Sequence, residues 1–234
     1  MANASSFVRP STRPDEIHSL LTGVERYNPL KASLLEDYLA RQCANPDPTN
    51  NHDLMANLAL LKMYQFNPDL LDLDVVRRIL AKALISPSTG DFNLCLYLLS
   101  DEICKDVSVG KLLALRDSLE RAQFTGFWKE MYGGDEDEDS VVDGIAGFDN
   151  GLRRLIVGEI TGTYQTIPAE AISAMVNLDS EAVARMAKEN GWTVDAKGVV
   201  TLPLKGENEA KATVIKENVK FEQLTKILSA ANAV

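Results

Sequence analysis

The side chains able to do covalent or ligand chemistry are few and scattered. The chain holds three cysteines, Cys43, Cys95 and Cys104, and two histidines, His18 and His52. A structural zinc site needs about four soft ligands, usually with paired Cys-x-x-Cys spacing. No such pair occurs here. An odd set of separated cysteines reads as reduced, mostly buried thiols of a cytosolic or nuclear protein. With two histidines and no local pairing with carboxylates, general acid–base chemistry lacks obvious players. There is no Gly-x-Ser-x-Gly, no P-loop and no Gly-x-Gly-x-x-Gly after a strand. Gly144-Ile145-Ala146-Gly147 lacks the preceding strand that a phosphate cradle requires. It reads as a turn that lets helices approach closely. No catalytic, cofactor-binding or metal-binding residues are expected, so the sequence does not read as an enzyme.

Charge chemistry is the next candidate. Asp135 to Asp139 is a run of five consecutive carboxylates. Like charges so close repel and stay in water, so the run reads as a solvated loop; a contact for a basic partner is the alternative. The whole chain has 24 Lys and Arg against 34 Asp and Glu, a net charge of −10. Nucleic acid affinity rests on neutralising phosphates, so a whole-surface grip on a duplex is not expected. A local basic patch remains compatible with that balance.

These groups must be carried by a globular body. The 234 residues are 45% hydrophobic and 25% charged, ordinary for one or two folded domains. Met1 to Pro14 lacks the apolar stretch of a secretory signal, and no window approaches the roughly 18 uninterrupted apolar residues of a membrane span. The periodicity predicts helix after helix. Asp15 to Thr22 is a short helix opened by Pro14. Leu30, Leu34, Leu35, Tyr38, Leu39 and Cys43 share a face of a helix over 29–42. Leu54, Leu58 and Leu61, widened by Met55, Ala59, Leu60 and Met63, mark a helix buried on most sides. Tyr64, Gln65 and Phe66 at its end read as packing and turn residues. Leu73 to Leu84 is amphipathic, and Asp91 caps an all-round apolar segment from Phe92 to Ser100 suited to the centre of a stack. Val109 to Ala122 continues the pattern, followed by Phe124, Phe127 and Trp128. Trp128 and Trp192 read as core or interdomain packing.

Tyr27-Asn28-Pro29 and Phe66-Asn67-Pro68 repeat one aromatic-Asn-Pro tripeptide 39 residues apart. Asn caps and Pro tolerates a first turn, so both look like helix openings. A period near 40 is that of two-helix solenoid repeats, so a short HEAT-like stack is expected. After the acidic run, a long helix carries Leu152, Leu155, Ile156 and Ile160. Two helices follow, Ala169 to Asn177 and Ser180 to Asn190. Trp192-Thr193-Val194 and Val199 to Leu202 then form β-prone runs around the turn Asp195-Ala196-Lys197-Gly198. Helix, helix and hairpin is the layout of a winged helix. The expected organisation is a flexible N-terminus (1–14), a HEAT-like domain (15–132), an acidic loop (133–140), a connecting long helix (141–167), a winged helix (168–204), and a linker with a C-terminal interaction helix (205–234), in which Gly206 to Glu209 is a polar break.

Candidate docking residues follow from that layout. The last helix presents Phe221, Leu224, Ile227 and Leu228 beyond a complete domain. That face either folds back on its own winged helix or joins helices of neighbouring subunits. Val199 and Val200 lie on a wing strand expected to leave an open sheet edge that adds a partner strand. Glu181, Arg185, Lys188 and Glu189 cancel on the helix that would read DNA, so direct sequence-specific DNA binding is not expected; Lys197, Lys205, Lys211, Lys216 and Lys220 are at most a modest basic flank. A winged-helix nucleic-acid-binding regulator is the rival reading.

A helical stack followed by a winged helix is the layout of the PCI module. The stretch from Asp53 to Pro68, DLMANLALLKMYQFNP, resembles the signature helix of the family of subunit K of eukaryotic translation initiation factor 3. Arg26-Tyr27-Asn28-Pro29, Phe127-Trp128, Gly144 to Phe148, Gly162 to Ile167 and Gly191-Trp192 are similar in type and order. The resemblance runs from about Leu20 to Leu228. The first 15 or so residues, the Pro-rich loop after Cys43 and the acidic run look like additions. The resemblance implies a non-catalytic scaffold subunit of a large cytoplasmic assembly, with a nuclear pool allowed, that sits on the small (40S) ribosomal subunit. It implies other subunits of the factor as partners, subunit L above all, and no cofactor or membrane. A PCI subunit of the proteasome lid or signalosome is the alternative within the same module.

Overall fold

The computed structural model describes residues 9–46, 52–86, 90–133, 140–209 and 221–231. The protein is mostly helical. Its first half runs α1 (Asp15–Thr22), two 3-10 turns (Val24–Tyr27 and Pro29–Lys31), α2 (Ala32–Ala44), α3 (Leu54–Phe66), a 3-10 turn (Pro68–Leu70), α4 (Leu73–Leu84), α5 (Asp91–Leu96), α6 (Asp101–Cys104), α7 (Val107–Glu120) and α8 (Phe124–Tyr132). Side-chain caps set several starts: Asp53, Asp72 and Asp106 each accept backbone N–H groups of α3, α4 and α7. The helices pack in sequence order, α2 on α3, α4 on α5 and α7, and α7 on α8.

One buried polar cluster organises the start of this stack. Asp53 caps α3 through Ala56 N and takes two hydrogen bonds from the Arg13 guanidinium and one from the Tyr38 hydroxyl. Gln42 receives Asp53 N and donates to Asn57, while Lys82 donates to the Gln42 carbonyl at 2.7 Å. A buried carboxylate is tolerable only when satisfied this fully. Residues 9–14, expected as part of a flexible tail, are therefore anchored, because Arg13 is buried against Asp53.

The second half is α9 (Phe148–Thr163), β1 (Thr166–Pro168), α10 (Ala169–Val176), α11 (Ser180–Glu189), β2 (Thr193–Val194), β3 (Val199–Thr201) and α12 (Phe221–Ala231). The strands form an antiparallel sheet in the order β1-β3-β2, with Thr201 opposite both Thr166 and Thr193. The expected boundary between residues 167 and 168 cuts through β1. Thr166 and Ile167, expected in the connecting long helix, and Pro168, expected at the start of the winged helix, become a strand by pairing with β3.

The two halves are joined by specific contacts. Trp128 donates its indole N–H to the Met175 carbonyl at 2.8 Å, and Arg153 donates to the Val176 carbonyl while its guanidinium lies 5.3 Å from the Trp128 ring centre. Ala146 N reaches the Cys43 carbonyl at 2.8 Å. Gly144 and Gly147 both have positive φ, and a Cβ on Gly147 would sit 2.3 Å from the Pro46 carbonyl oxygen. The close approach expected of this glycine pair is what the chain builds.

Other local expectations need correction. Leu30 is exposed, because Pro29–Lys31 is a 3-10 turn and the α-helical register begins only at Ala32. Asp91 does not cap: Gly90 holds that position, and the carboxylate accepts the Ser86 hydroxyl instead. The apolar stretch from Phe92 breaks after Leu96 and leaves Tyr97 in solvent. Phe66 is likewise exposed although Tyr64 is buried. Gly206 to Glu209 is not a plain polar break. Asn208 is buried; its side-chain amide lies within hydrogen-bond distance of the carbonyls of Thr161, Tyr164 and Pro203, and its Oδ1 accepts Lys205 N.

Candidate interaction surfaces

The three thiols all have raised pKa values, and two of them are buried. Cys95 is fully buried, and burial first, then the nearby Asp91 charge, pushes its thiol up to about 12. Cys43 is also raised, chiefly by burial, and Cys104 by burial and Asp101. Thiolates are the reactive form, so these sites disfavour nucleophilic sulfur. The fold does assemble one serine–carboxylate–histidine group that the sequence did not reveal. Ser86 Oγ donates to Asp91 Oδ2 at 2.7 Å, and His52 Nε2 lies 3.3 Å from the same oxygen. The imidazole makes no hydrogen bond of proper geometry there. In a nucleophilic triad the histidine stands between hydroxyl and carboxylate. Here the carboxylate stands between the other two, so the order differs from that of a nucleophilic triad. Among the described residues, no three His, Cys, Asp or Glu side chains form a metal-holding group.

The sheet edge expected at Val199 and Val200 is not there. β3 is the central strand, paired on both sides, and Val200 is completely buried. Its neighbour β1 takes one of the two flanks that the hairpin alone would have left open. The two outer strands are β1 and β2; in β2 both Thr193 and Val194 are exposed.

The α12 helix carries the other expected docking residues. Leu224 is 45% and Leu228 64% exposed, a spacing of four that puts both on one helical face. The side chains of Phe221 and Ile227 lie outside the described residues. Likewise the acidic run 135–139 and the lysines at 211, 216 and 220 fall outside them.

A further concave surface was missed. A groove of about 680 Å³ opens between α9 and α11, with Arg153, Arg154, Arg185 and Lys205 at its walls and Glu189 as the acidic residue among them. Adjacent Arg153 and Arg154 on α9 line it together with Arg185 of α11, Arg153 being also ion-paired with Asp149 at 3.6 Å. Balance along α11 alone could not show that grouping.

Residues 70–213 match the sequence model of the CSN8/PSMD8/EIF3K family. The chain belongs to that family. Within the CSN8/PSMD8/EIF3K family its similarity extends over nearly its whole length to curated fungal proteins. It is 34% identical over 236 residues to eukaryotic translation initiation factor 3 subunit K of Sclerotinia sclerotiorum, covering 94% of each chain. The subunit K of Mycosarcoma maydis is 33% identical over 280 residues, 99% of this chain and 96% of that one. The subunit K of Cryptococcus neoformans is 35% identical over 245 residues, with 98% and 96% covered. The family resemblance carried by the stretch from Asp53 to Pro68 is thus matched over the full fold. That stretch precedes the residues matched by the family model and forms α3 with its flanking residues; its conspicuous side chains are structural: Asp53 caps, Asn57 takes Gln42, and Tyr64 donates to Glu36.

Proposed function

We propose that this protein is the K subunit of a eukaryotic translation initiation factor 3 complex, acting as a non-catalytic scaffold that supports assembly on the 40S ribosomal subunit through protein–protein contacts. The observation that carries this reading is the identity of about one third to subunit K proteins over almost the full length of both chains. The burial of Cys43 and Cys95 and the order of the Ser86–Asp91–His52 group, unlike a nucleophilic triad, support a role without bond-making.

In this reading residues 15–132 form a HEAT-like stack and residues 168–204, taken with the preceding α9 and β1, a winged helix. Support for the winged helix comes from the order helix, strand, helix, helix, strand, strand and from the central place of β3. Support for the stack comes from the successive packing of α2 on α3, α4 on α5 and α7 on α8. In this reading α12 is the partner-facing helix. Its exposed Leu224 and Leu228 dock on another subunit of the complex, with subunit L the first expected partner, in the cytoplasm. The driving force is apolar area removed from water, about 25 cal/mol per Å² before the costs of association.

The experiment is affinity capture of a tagged full-length chain from cells, with mass spectrometry of what it brings down. Initiation factor 3 subunits are expected for the wild type. Leu224→Asp combined with Leu228→Asp is expected to lose the direct partner while the isolated chain melts unchanged. Capture of proteasome-lid or signalosome subunits in their place overturns the assignment, and undiminished capture by the double variant removes α12 as the interface.

A further inference from the structure

The two aromatic-Asn-Pro tripeptides, far apart in sequence, meet in space. The rings of Tyr27 and Phe66 lie 6.4 Å apart between centroids and are tilted by 55°. The two sites share their element order but not the use of the Asn: Asn28 caps the following turn, and Asn67 reaches back to α3. Each aromatic closes a helical element, each Asn makes a local hydrogen bond (Asn28 Oδ1 from Leu30 N, Asn67 Nδ2 to the Met63 carbonyl), and each Pro opens a 3-10 turn. The sequence pattern makes these tripeptides look like helix openings. The fold makes them a pair of projecting corners.

Neither ring is used in the core. Tyr27 is 55% and Phe66 60% exposed, and beside Tyr27 on the same 3-10 turns Val24 and Leu30 are each 85% exposed. Isolated exposed apolar side chains are ordinary, but a paired aromatic ledge with two large aliphatic neighbours is an interaction surface in waiting. Each ring also carries a cation. The Arg26 guanidinium lies 5.3 Å from the Tyr27 centroid and the Lys62 ammonium 4.8 Å from that of Phe66. Lys62 donates to Gln65, and among the described residues neither cation has a carboxylate within ion-pair distance. Cation–π contact preorganises both charges on the ledge.

We infer that the Tyr27–Phe66 ledge docks a segment of another protein in which an apolar or aromatic side chain is flanked by carboxylates. The rings supply area to bury, and Arg26 and Lys62 supply the charges that such a segment satisfies. The choice of occupant rests on this charge complementarity. A second copy related by a two-fold axis would set this patch on itself, cations toward cations. Duplex nucleic acid needs many neutralised phosphates, and two cations on a chain of net charge −10 supply too few. This inference does not depend on which assembly holds the protein.

The test uses the full-length chain and fluorescence anisotropy. The probe is a fluorescein-labelled peptide with tryptophan and leucine set among glutamates. One comparison peptide has lysine for glutamate, and another has serine for the apolar residues. Saturable binding of the acidic apolar peptide is expected, with both comparison peptides much weaker. Tyr27→Ser and Phe66→Ser are each expected to weaken it about tenfold, and Arg26→Glu with Lys62→Glu about tenfold as well, while turning preference toward the lysine peptide. Tyr27 and Phe66 are exposed and Arg26 and Lys62 half-buried at the surface, so unaltered melting is expected of the ring variants and is checked for the charge-reversed pair; if one set misfolds, the other still decides. No saturable binding, equal binding of the serine peptide, or charge-reversed protein that binds like wild type overturns the proposal. So does a wild-type dimer in sedimentation that Phe66→Ser dissociates, which assigns the ledge to a second copy.

Discussion

Arg13 and Asp53 meet across 40 positions of sequence through two hydrogen bonds of 2.6 Å, with both side chains buried. The pair ties the segment before α1 to the capped start of α3, and Tyr38 of α2 joins it. Removing one partner of a buried pair strands the other charge. Arg13→Met is therefore expected to cost about 3–5 kcal/mol in urea unfolding, far more than loss of the exposed Arg9–Asp15 pair. Equal effects of the two changes would mean that Asp53 is satisfied without Arg13.

Asn208 is the second tie. Its side chain serves three backbone carbonyls and one amide, so it pins the chain after β3 to the end of α9. Asn208→Ala leaves those groups buried without their partner and is expected to destabilise by about 1–3 kcal/mol. Hydrogen exchange should localise the change: faster exchange at Lys205, whose N–H loses its acceptor, with little change in α2 to α4.

Two glycines make an internal control. Gly147 has φ of +71°, and an added Cβ would strike the Pro46 carbonyl at 2.3 Å. Gly147→Ala is expected to lower stability by about 2 kcal/mol or more. Gly158 sits inside α9 with open space where its Cβ would go. Gly158→Ala is expected to raise stability by about 0.5–1 kcal/mol. Thermal melts of the two variants should move in opposite directions.

The buried thiol sets an alkaline limit. Cys95 is held up to about 12 in the folded chain, against about 8.5 for a free thiol. Above the lower value the unfolded chain releases a proton that the folded chain keeps. Unfolding then releases protons, so stability falls as pH rises between those values. Tyr38 and Tyr64, both raised by burial and by a neighbouring carboxylate, act in the same direction at higher pH. Urea midpoints measured from neutral pH to about pH 10 should decline, and less steeply in Cys95→Ala. A thiol reagent at pH 8 should leave Cys95 unlabelled until denaturant is added.

Much of this protein was legible in its residues because the signals are local. The spacing of apolar side chains placed α1, α3 and α4, and the strand-prone runs around Asp195 to Gly198 placed β2 and β3, since helices and hairpins are specified within a few residues. The stretch from Asp53 to Pro68 carried the family, which similarity over nearly the whole chain then showed. The misses share one physical cause. β1 exists only because Thr166 to Pro168 finds β3 as a partner, and its arrival turned Val199 and Val200 from an edge into the centre of the sheet. Asn208, the turn of Asp91 toward Ser86, and the meeting of Tyr27 with Phe66 are contacts at long range or choices between competing local partners. Sequence alone determined the type of most elements and the family; tertiary structure decided which edges are free, which polar groups are buried and which apolar faces remain in water. Side-chain period is a property of one segment, whereas exposure is a property of every segment that packs against it.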